Sequence, residues 1–330
     1  MNFYLTGVGY KTAPIEIRET VYKKRADIAG FWEGYSKFQT AILSTCNRIE
    51  VYAIGNDDGV MDIFKSQFRE FSQYGYGYSG KKEIFRHLVR LATGLESQIK
   101  GEAQILQQLK LWGNQAGFAV SLNQLLRDCF AIAYDVRLRT HLKGAENNLA
   151  TLLFEHIAGR RKNLDVVIAG TGKIAELFAK YKPQGVHITF ASHKNFNKAK
   201  ALALAAEGEA ISFKELPEAL FKADILLSAT ASPHIVFGVE HFLKLSARKK
   251  ALEIYDLAMP RDVSQEVRHL RGIILKNIDD LAGIFEKHNL KLRDNLKLAE
   301  YLVEESIRYY ERNQNADSPE SWHKAEPLSY

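Results

Sequence analysis

The stretch that most narrows what this chain can fold into runs from Asp165 to Ala175. Asp165-Val166-Val167-Ile168-Ala169 is an apolar run of strand length, Gly170-Thr171-Gly172 follows it directly, and Lys173-Ile174-Ala175 opens a helical pattern that continues through Tyr181. Strand, glycine turn and helix in that order form a dinucleotide-binding fingerprint: the glycines let the backbone close on a pyrophosphate held at the positive end of the helix. Ala175 takes the third glycine position, which the fingerprint allows. Gly170, Thr171, Gly172, Lys173, Ile174 and Ala175 are therefore candidate cofactor contacts, in a Rossmann-type domain expected over residues 144–282. The next strand, Val186 to Ala191, indicates which dinucleotide. An NAD site places Asp or Glu at its end to hold the ribose 2′-hydroxyl. Here no carboxylate occurs between Glu176 and Glu207, and Ser192-His193-Lys194 offers a hydroxyl and a cation to a 2′-phosphate. NADPH is the expected cofactor.

The rest of the chain, 330 residues with 46% hydrophobic and 25% charged, is long enough for two cores. No run of 18 apolar residues could span a membrane, and Met1-Asn2-Phe3-Tyr4-Leu5 lacks the basic region of a signal peptide. Two cysteines make neither a disulfide framework nor a zinc site, so no metal is expected and a reducing, cytoplasmic setting fits best. A net charge of +6 permits a nucleic-acid partner without arguing for one.

Chemistry is expected ahead of the Rossmann unit, around Cys46. Ala41 to Leu43 and Ile49 to Tyr52 have strand character and enclose the polar knot Ser44 to Arg48. Arg48 lies two residues from Cys46, which in an extended segment puts both on one face, where a guanidinium raises the thiolate fraction and pairs with a carboxylate. A half-buried structural thiol is the plain alternative. Further on, Lys23 to Gln39 reads as a helix, Tyr74 to Gly80 as a loop, and Lys81 to Leu95 as a helix with Lys82, Arg86 and Arg90 on a basic stripe. That stripe suits a solvated face or a phosphate-facing one equally. His87 sits beside the same helix's apolar face, where a histidine is ordinarily a core residue. Gly94 to Gln108 sets Ser97, Glu102, Gln104 and Gln108 among apolar neighbours, polar groups that need partners. Cys129, among Leu125, Leu126, Phe130 and Ala133, reads as an inert core thiol. One long helix is expected from Ile278 to Arg312 with Leu292, Leu296, Ala299, Val303 and Ile307 on a stripe, followed by a disordered polar tail, 313–330.

Two stretches carry a resemblance. Ser44-Thr45-Cys46-Asn47-Arg48-Ile49-Glu50-Val51-Tyr52 and Gly94-Leu95-Glu96-Ser97-Gln98-Ile99-Lys100-Gly101-Glu102-Ala103-Gln104-Ile105-Leu106 resemble the signatures of the glutamyl-tRNA reductase family. Weaker likeness at Gly7 to Glu19, Gly170 to Ala175 and Ala258 to Asp262 extends it to about residue 312. The resemblance implies NADPH-dependent reduction of glutamyl-tRNA to glutamate-1-semialdehyde, the first committed step of tetrapyrrole biosynthesis, through a thioester on Cys46. It implies a role for His87, ten residues before Ser97, in proton transfer at the thiohemiacetal oxygen. It makes Thr45, Asn47, Arg48, Ser97, Glu102, Ala103, Gln104 and Gln108 the glutamate-binding set, with Arg48 on the α-carboxylate or side-chain carboxylate. It also implies hand-over of product to glutamate-1-semialdehyde aminotransferase.

The chain departs from the family at Tyr10, where His is usual, and at Ser192-His193-Lys194, where Asn-Arg is usual. The family continues past the long helix into a dimerising bundle, so a monomer or a weak dimer through that helix is expected here. The expected architecture is α/β: a catalytic α+β domain over 1–143, the Rossmann domain over 144–282, and the helix over 283–312. Two rival readings are an NADP-dependent dehydrogenase of a small thioester or aldehyde without tRNA, and a non-catalytic regulatory relative that binds tRNA or haem.

Overall fold

The computed structural model describes residues 2–34, 38–55, 59–67, 69–114, 120–142, 147–159 and 163–314. The polar tail beyond Gln314 and the expected helix break at Gly144 lie outside them.

The first half of the chain gives β1 (Asn2–Gly9), α1 (Ile15–Lys23), α2 (Arg25–Glu33), β2 (Phe38–Ser44), β3 (Arg48–Gly55), α3 (Val60–Gln67), β4 (Gly75–Ser79), α4 (Lys81–Ala92), α5 (Gln104–Gly113) and α6 (Val120–Arg139). The strands make an antiparallel sheet in the order β2-β3-β1-β4. Alternation along β1 sends Phe3 and Leu5 to one face and Tyr4 and Val8 to the other, and both faces are covered. Residues of α1, α2 and α3 close one side; α4, α5 and α6 close the other. The helix expected to reach Gln39 stops at Glu33, because Phe38 is drawn into the strand as a buried residue of that first core.

Residues Tyr74 to Gly80, expected as a loop, contain a strand: β4 pairs antiparallel with β1 from Tyr4↔Ser79 to Val8↔Gly75. Its Gly-Tyr alternation has the strand period of two, although glycine depresses strand propensity and hides the signal. The alternation puts Tyr76 and Tyr78 on one face, where their rings lie 6.3 Å and 5.2 Å from the His87 ring.

The second half gives α7 (Leu149–Ala158), β5 (Leu164–Ala169), α8 (Lys173–Lys180), β6 (Val186–Ser192), α9 (Phe196–Ala205), β7 (Glu209–Ser212), α10 (Leu216–Lys222), β8 (Ile225–Ser228), β9 (Leu252–Asp256) and β10 (Ile273–Asn277). All six strands run parallel in the order β10-β9-β8-β5-β6-β7. Strand order reverses between β5 and β8, which opens a crevice at their carboxyl ends, where dinucleotides bind in such sheets. No described helix is long and apolar enough to cross a membrane.

The closing helix is two helices, α11 (Ala282–Lys291) and α12 (Arg293–Gln314), separated at Leu292. α12 packs on the first half. Ala299, Leu302, Val303, Ile307 and Tyr310 enter the core beside α4 and α6, and Leu292 and Leu296 pack at its edge. Of the two expected arrangements, this is the one in which the helix covers its own domain. The basic stripe of α4 is a partly exposed face whose charges are met by acidic residues of α12. Lys82 pairs with Glu311 at 3.1 Å, Arg86 with Glu304 at 3.3 Å and Arg90 with Glu300 at 3.6 Å. These pairs are partly exposed and individually weak, so apolar burial carries the docking.

Val303 is fully buried. Val303→Asp should lower the stability of the chain by on the order of 3 kcal/mol, read from urea denaturation, with the light-scattering mass unchanged. Loss of a dimer at unchanged stability would show that the stripe serves a contact between subunits instead.

Candidate active site

Cys46 stands at the tip of the β2–β3 hairpin. Thr45 N–H donates to the Arg48 carbonyl at 2.9 Å, and Thr45 Oγ1 accepts from the backbone N–H of Asn47 and of Arg48, both at 3.2 Å. This is a tight turn rather than the extended segment expected, and it projects Cys46 into a cleft between the two halves of the molecule. On one side the cleft is lined by Thr45, Cys46, Asn47, Arg48, Ser97, Glu102, Gln104 and Gln108. On the other side stand Ile174 in the first turn of α8, Leu257, Ala258 and Met259 beyond β9, and Phe285 of α11. The expected glutamate-binding residues are thus brought together, except Ala103, which is exposed and is not part of the lining.

His87 is not in that lining. Its ring is buried behind it, with Nε2 2.9 Å from Glu50 Oε1. Glu50 has no surface in water and also accepts from Arg48 Nη1 at 3.0 Å, Tyr52 Oη at 2.6 Å and Tyr76 Oη at 2.5 Å. Burial alone would raise the Glu50 pKa, but His87 and Arg48 outweigh it and hold the carboxyl well below the usual range. Arg48, Glu50 and Tyr52 share one face of β3 by strand alternation, so this grouping is legible in the sequence. Arg48 Nη2 also donates to the Glu96 carbonyl at 2.6 Å. With both terminal nitrogens engaged, a fresh end-on clamp is not what the guanidinium offers. Its Nε is buried with no hydrogen-bond partner among the described residues.

The Cys46 side chain reaches solvent through the cleft, but the protein crowded around it, and then the Glu102 charge, push the thiol up to about 11. Arg18 and Arg48 pull in the opposite direction and lose. The thiolate-favouring influence of Arg48 expected from spacing is present but outweighed. Arg18, which the sequence reading passed over, is buried and donates to the Cys46 carbonyl at 3.3 Å and to Asn47 Oδ1 at 3.5 Å; its other terminal nitrogen pairs with Asp279 of the second half. Burial pushes Glu102 up to about 7 against the pull of Ser97, Arg137 and Arg48. Tyr10, the departure from the usual His, donates to the Ser97 carbonyl at 3.1 Å and is pushed by burial to about 12.

The nucleotide side fits a dinucleotide. Gly170 has φ +115°, and a Cβ there would meet the Ala229 carbonyl oxygen at 2.4 Å, so the turn accepts glycine alone. Gly172 caps α8, leaving its first N–H groups open to an anion, and Ala175 is buried against the sheet. Ser192 ends β6 with Oγ accepting from Asn195 N–H at 3.1 Å, while His193 and Lys194 are exposed beside it. Two buried carboxylates missed in the sequence shape the facing loop. Asp256 accepts from the N–H of Ala258, Asp262 and Val263; Asp262 accepts from Ser228 Oγ at 2.6 Å and Thr230 Oγ1 at 2.5 Å. Burial, with Asp262 close by, pushes Asp256 up to about 7.

Comparison with known proteins agrees with this division of labour. Residues 6–141 match the family model described as glutamyl-tRNAGlu reductase, N-terminal domain, and residues 152–284 match shikimate / quinate 5-dehydrogenase. The chain is 33% identical to glutamyl-tRNA reductase 2 of Koribacter versatilis, over 94% of this chain and 76% of that protein. It is 32% identical to the glutamyl-tRNA reductase of Chromohalobacter salexigens, over 94% and 78%. Among solved structures, that of the Methanopyrus kandleri glutamyl-tRNA reductase is 27% identical with a TM-score of 0.48, covering 94% of this chain and 80% of that one.

Glu50→Gln leaves Arg48 buried with its charge unmatched and should cost about 3–5 kcal/mol at neutral pH. Because the folded carboxyl is held low, its stabilisation is present above the unfolded pKa of about 4.3 and is lost as pH falls below it. Urea midpoints of the wild type and the variant should therefore converge in acid; a constant gap would contradict this assignment.

Proposed function

The chain belongs to the glutamyl-tRNA reductase family, and we propose that Cys46 is the nucleophile with which it reduces glutamyl-tRNA to glutamate-1-semialdehyde, the first committed step of tetrapyrrole biosynthesis. The observation that carries this reading is the cleft itself, in which Cys46 from one half shares a lining with Ile174, in the first turn of α8 just after the glycine turn, and with Met259 of the other half. The Cys46 sulfur attacks the ester carbonyl, the C–O bond to the tRNA ribose breaks, and a thioester remains on the hairpin tip. NADPH, held by Gly170, Thr171, Gly172, Lys173, Ile174 and Ala175 with Ser192, His193 and Lys194 toward the 2′-phosphate, supplies the hydride that reduces it.

Thr45, Asn47, Ser97, Gln104 and Gln108 surround the glutamyl group. In the ester only the side-chain carboxylate is free, and the Arg48 guanidinium in the cleft lining is the donor for it. His87 acts through Glu50 on Arg48, which makes it a positioning residue rather than one touching substrate. The partner is glutamyl-tRNA. A free aldehyde product favours passing it directly to glutamate-1-semialdehyde aminotransferase, and a reaction run by a free thiol suits the reducing cytoplasm. Since α12 already covers its own domain, a monomer is the assembly this reading favours over a dimer through that helix.

Incubation with glutamyl-tRNA and NADPH should release tRNA and semialdehyde together. Cys46→Ser should abolish both, while Cys129→Ser, altering a thiol buried in the core, should keep substantial turnover. An active Cys46→Ser protein overturns the mechanism. Lys194→Glu should narrow or reverse the preference for NADPH over NADH, and equal use of both by the wild type would contradict the cofactor assignment.

A further inference from the structure

Acylation, reduction and release each require a proton to move, and the cleft offers few groups able to move one. Among its lining residues only Cys46, Arg48 and Glu102 are ionisable. A guanidinium does not give up its proton in this setting. His87 lies outside the lining, held against Glu50, and Tyr10 keeps its proton up to about 12. We propose that Glu102 carries the proton between the Cys46 sulfur, the departing ribose oxygen and the thiohemiacetal oxygen, a catalytic role beyond contact with the glutamyl group. The proposal rests on the reading of Cys46 as the thioester-forming nucleophile.

The fold treats Glu102 as a group whose position matters. Arg137, buried in α6, spends its guanidinium on the carbonyls around it: Glu102 at 3.0 Å, Gly101 at 2.8 Å, Thr93 at 2.9 Å and Leu142 at 2.9 Å. Gly101 has φ +75°, and a Cβ there would meet Leu142 at 2.9 Å, so the turn leading into Glu102 is fixed. The Ser97 hydroxyl donates to the carboxylate, and the charges or titratable groups facing it are Arg48, Arg137, Cys46 and Tyr10. A pKa near 7 leaves both forms populated at neutral pH, the condition under which one side chain serves as base and then acid.

The steps balance. In acylation the Cys46 thiol gives its proton to the Glu102 carboxylate as the S–C bond forms, and the Glu102 carboxyl protonates the ribose oxygen as the C–O bond breaks. In reduction the hydride adds to the thioester carbon, and Glu102, reprotonated from solvent, protonates the resulting oxygen to give the thiohemiacetal. In release Glu102 takes that proton back, the aldehyde C=O forms, the C–S bond breaks, and the sulfur leaves as thiolate to be reprotonated.

Glu102→Gln keeps the size of the side chain but cannot carry a proton. Assayed with glutamyl-tRNA and NADPH across the neutral pH range, it should lose about 10²–10⁴-fold in kcat with KM for glutamyl-tRNA within a few-fold, and the pH-dependent limb near neutrality should vanish. Glu102→Asp should recover part of kcat together with the limb. Without substrates, iodoacetamide should alkylate Cys46 faster in Glu102→Gln, because the charge that raises the thiol is gone, while an unchanged circular dichroism spectrum and urea midpoint report that the protein is folded. A kcat within about threefold of wild type, an unchanged pH profile, or a loss confined to KM would overturn the proposal and leave Glu102 as a binding contact. Wild-type protein that yields no semialdehyde, or an active Cys46→Ser, would instead bring down the reading beneath it.

Discussion

A carboxylate with none of its surface in water must be met by donors, and Glu50 is met by Arg48, Tyr52, Tyr76 and His87. Left unpaired, such a charge would cost several kcal/mol. Its donors come from β3, β4 and α4, so satisfying it ties the edge strand and the neighbouring helix to the root of the Cys46 hairpin. Arg48 is the hinge of that arrangement: one nitrogen satisfies Glu50, another holds the Glu96 carbonyl, and the residue also lines the cleft. The polar cluster buried behind the cleft thereby sets the position of the only guanidinium in its lining.

A nucleophile on one half and a nucleotide turn on the other are useful together only if the halves are locked. Arg261, beyond β9, donates from Nε and Nη2 to the two oxygens of Glu19 on α1, and its Nη1 reaches Glu16. Arg18 from the same helix joins Asp279 while holding the backbone of Cys46. Asn289 of α11 donates to the Gln98 carbonyl and accepts from Lys100 N–H. The Arg18 and Asn289 contacts reach the two segments that carry the site, the hairpin tip and the Ser97–Glu102 turn. The Asp256 and Asp262 carboxylates hold the opposing loop, so Met259 is fixed from behind as Cys46 is.

Much of this was readable before any coordinates. The apolar run into Gly170-Thr171-Gly172 specified a parallel nucleotide-binding sheet, because strand period, glycine placement and helix onset all agree there. The polar residues Ser97, Glu102, Gln104 and Gln108 were recognisable as groups needing partners, and they meet Thr45, Cys46, Asn47 and Arg48 in one cleft. What was hidden depends on contacts distant in sequence. The β4 strand looked like a loop because glycine masks pairing that β1 supplies. The α4 stripe looked available because its acidic partners stand more than two hundred residues later on α12. His87 read as a core residue by its helix face and as a proton-transfer residue by resemblance; the chain alone does not reveal that Glu50 is its partner. Net thiol acidity was misjudged for a similar reason: Arg48 is close in sequence, whereas the enclosing cleft and Glu102 are not.

The central claim is that a glutamyl group passes through Cys46. The most direct measurement is peptide mass spectrometry after incubation with glutamyl-tRNA and no reduced cofactor, followed by a chase with NADPH. The account predicts one glutamyl group on the peptide containing Cys46, absent after prior alkylation of that thiol, and discharged as semialdehyde in the chase. A glutamyl group on any other residue, or semialdehyde produced by protein whose Cys46 is fully alkylated, would contradict it.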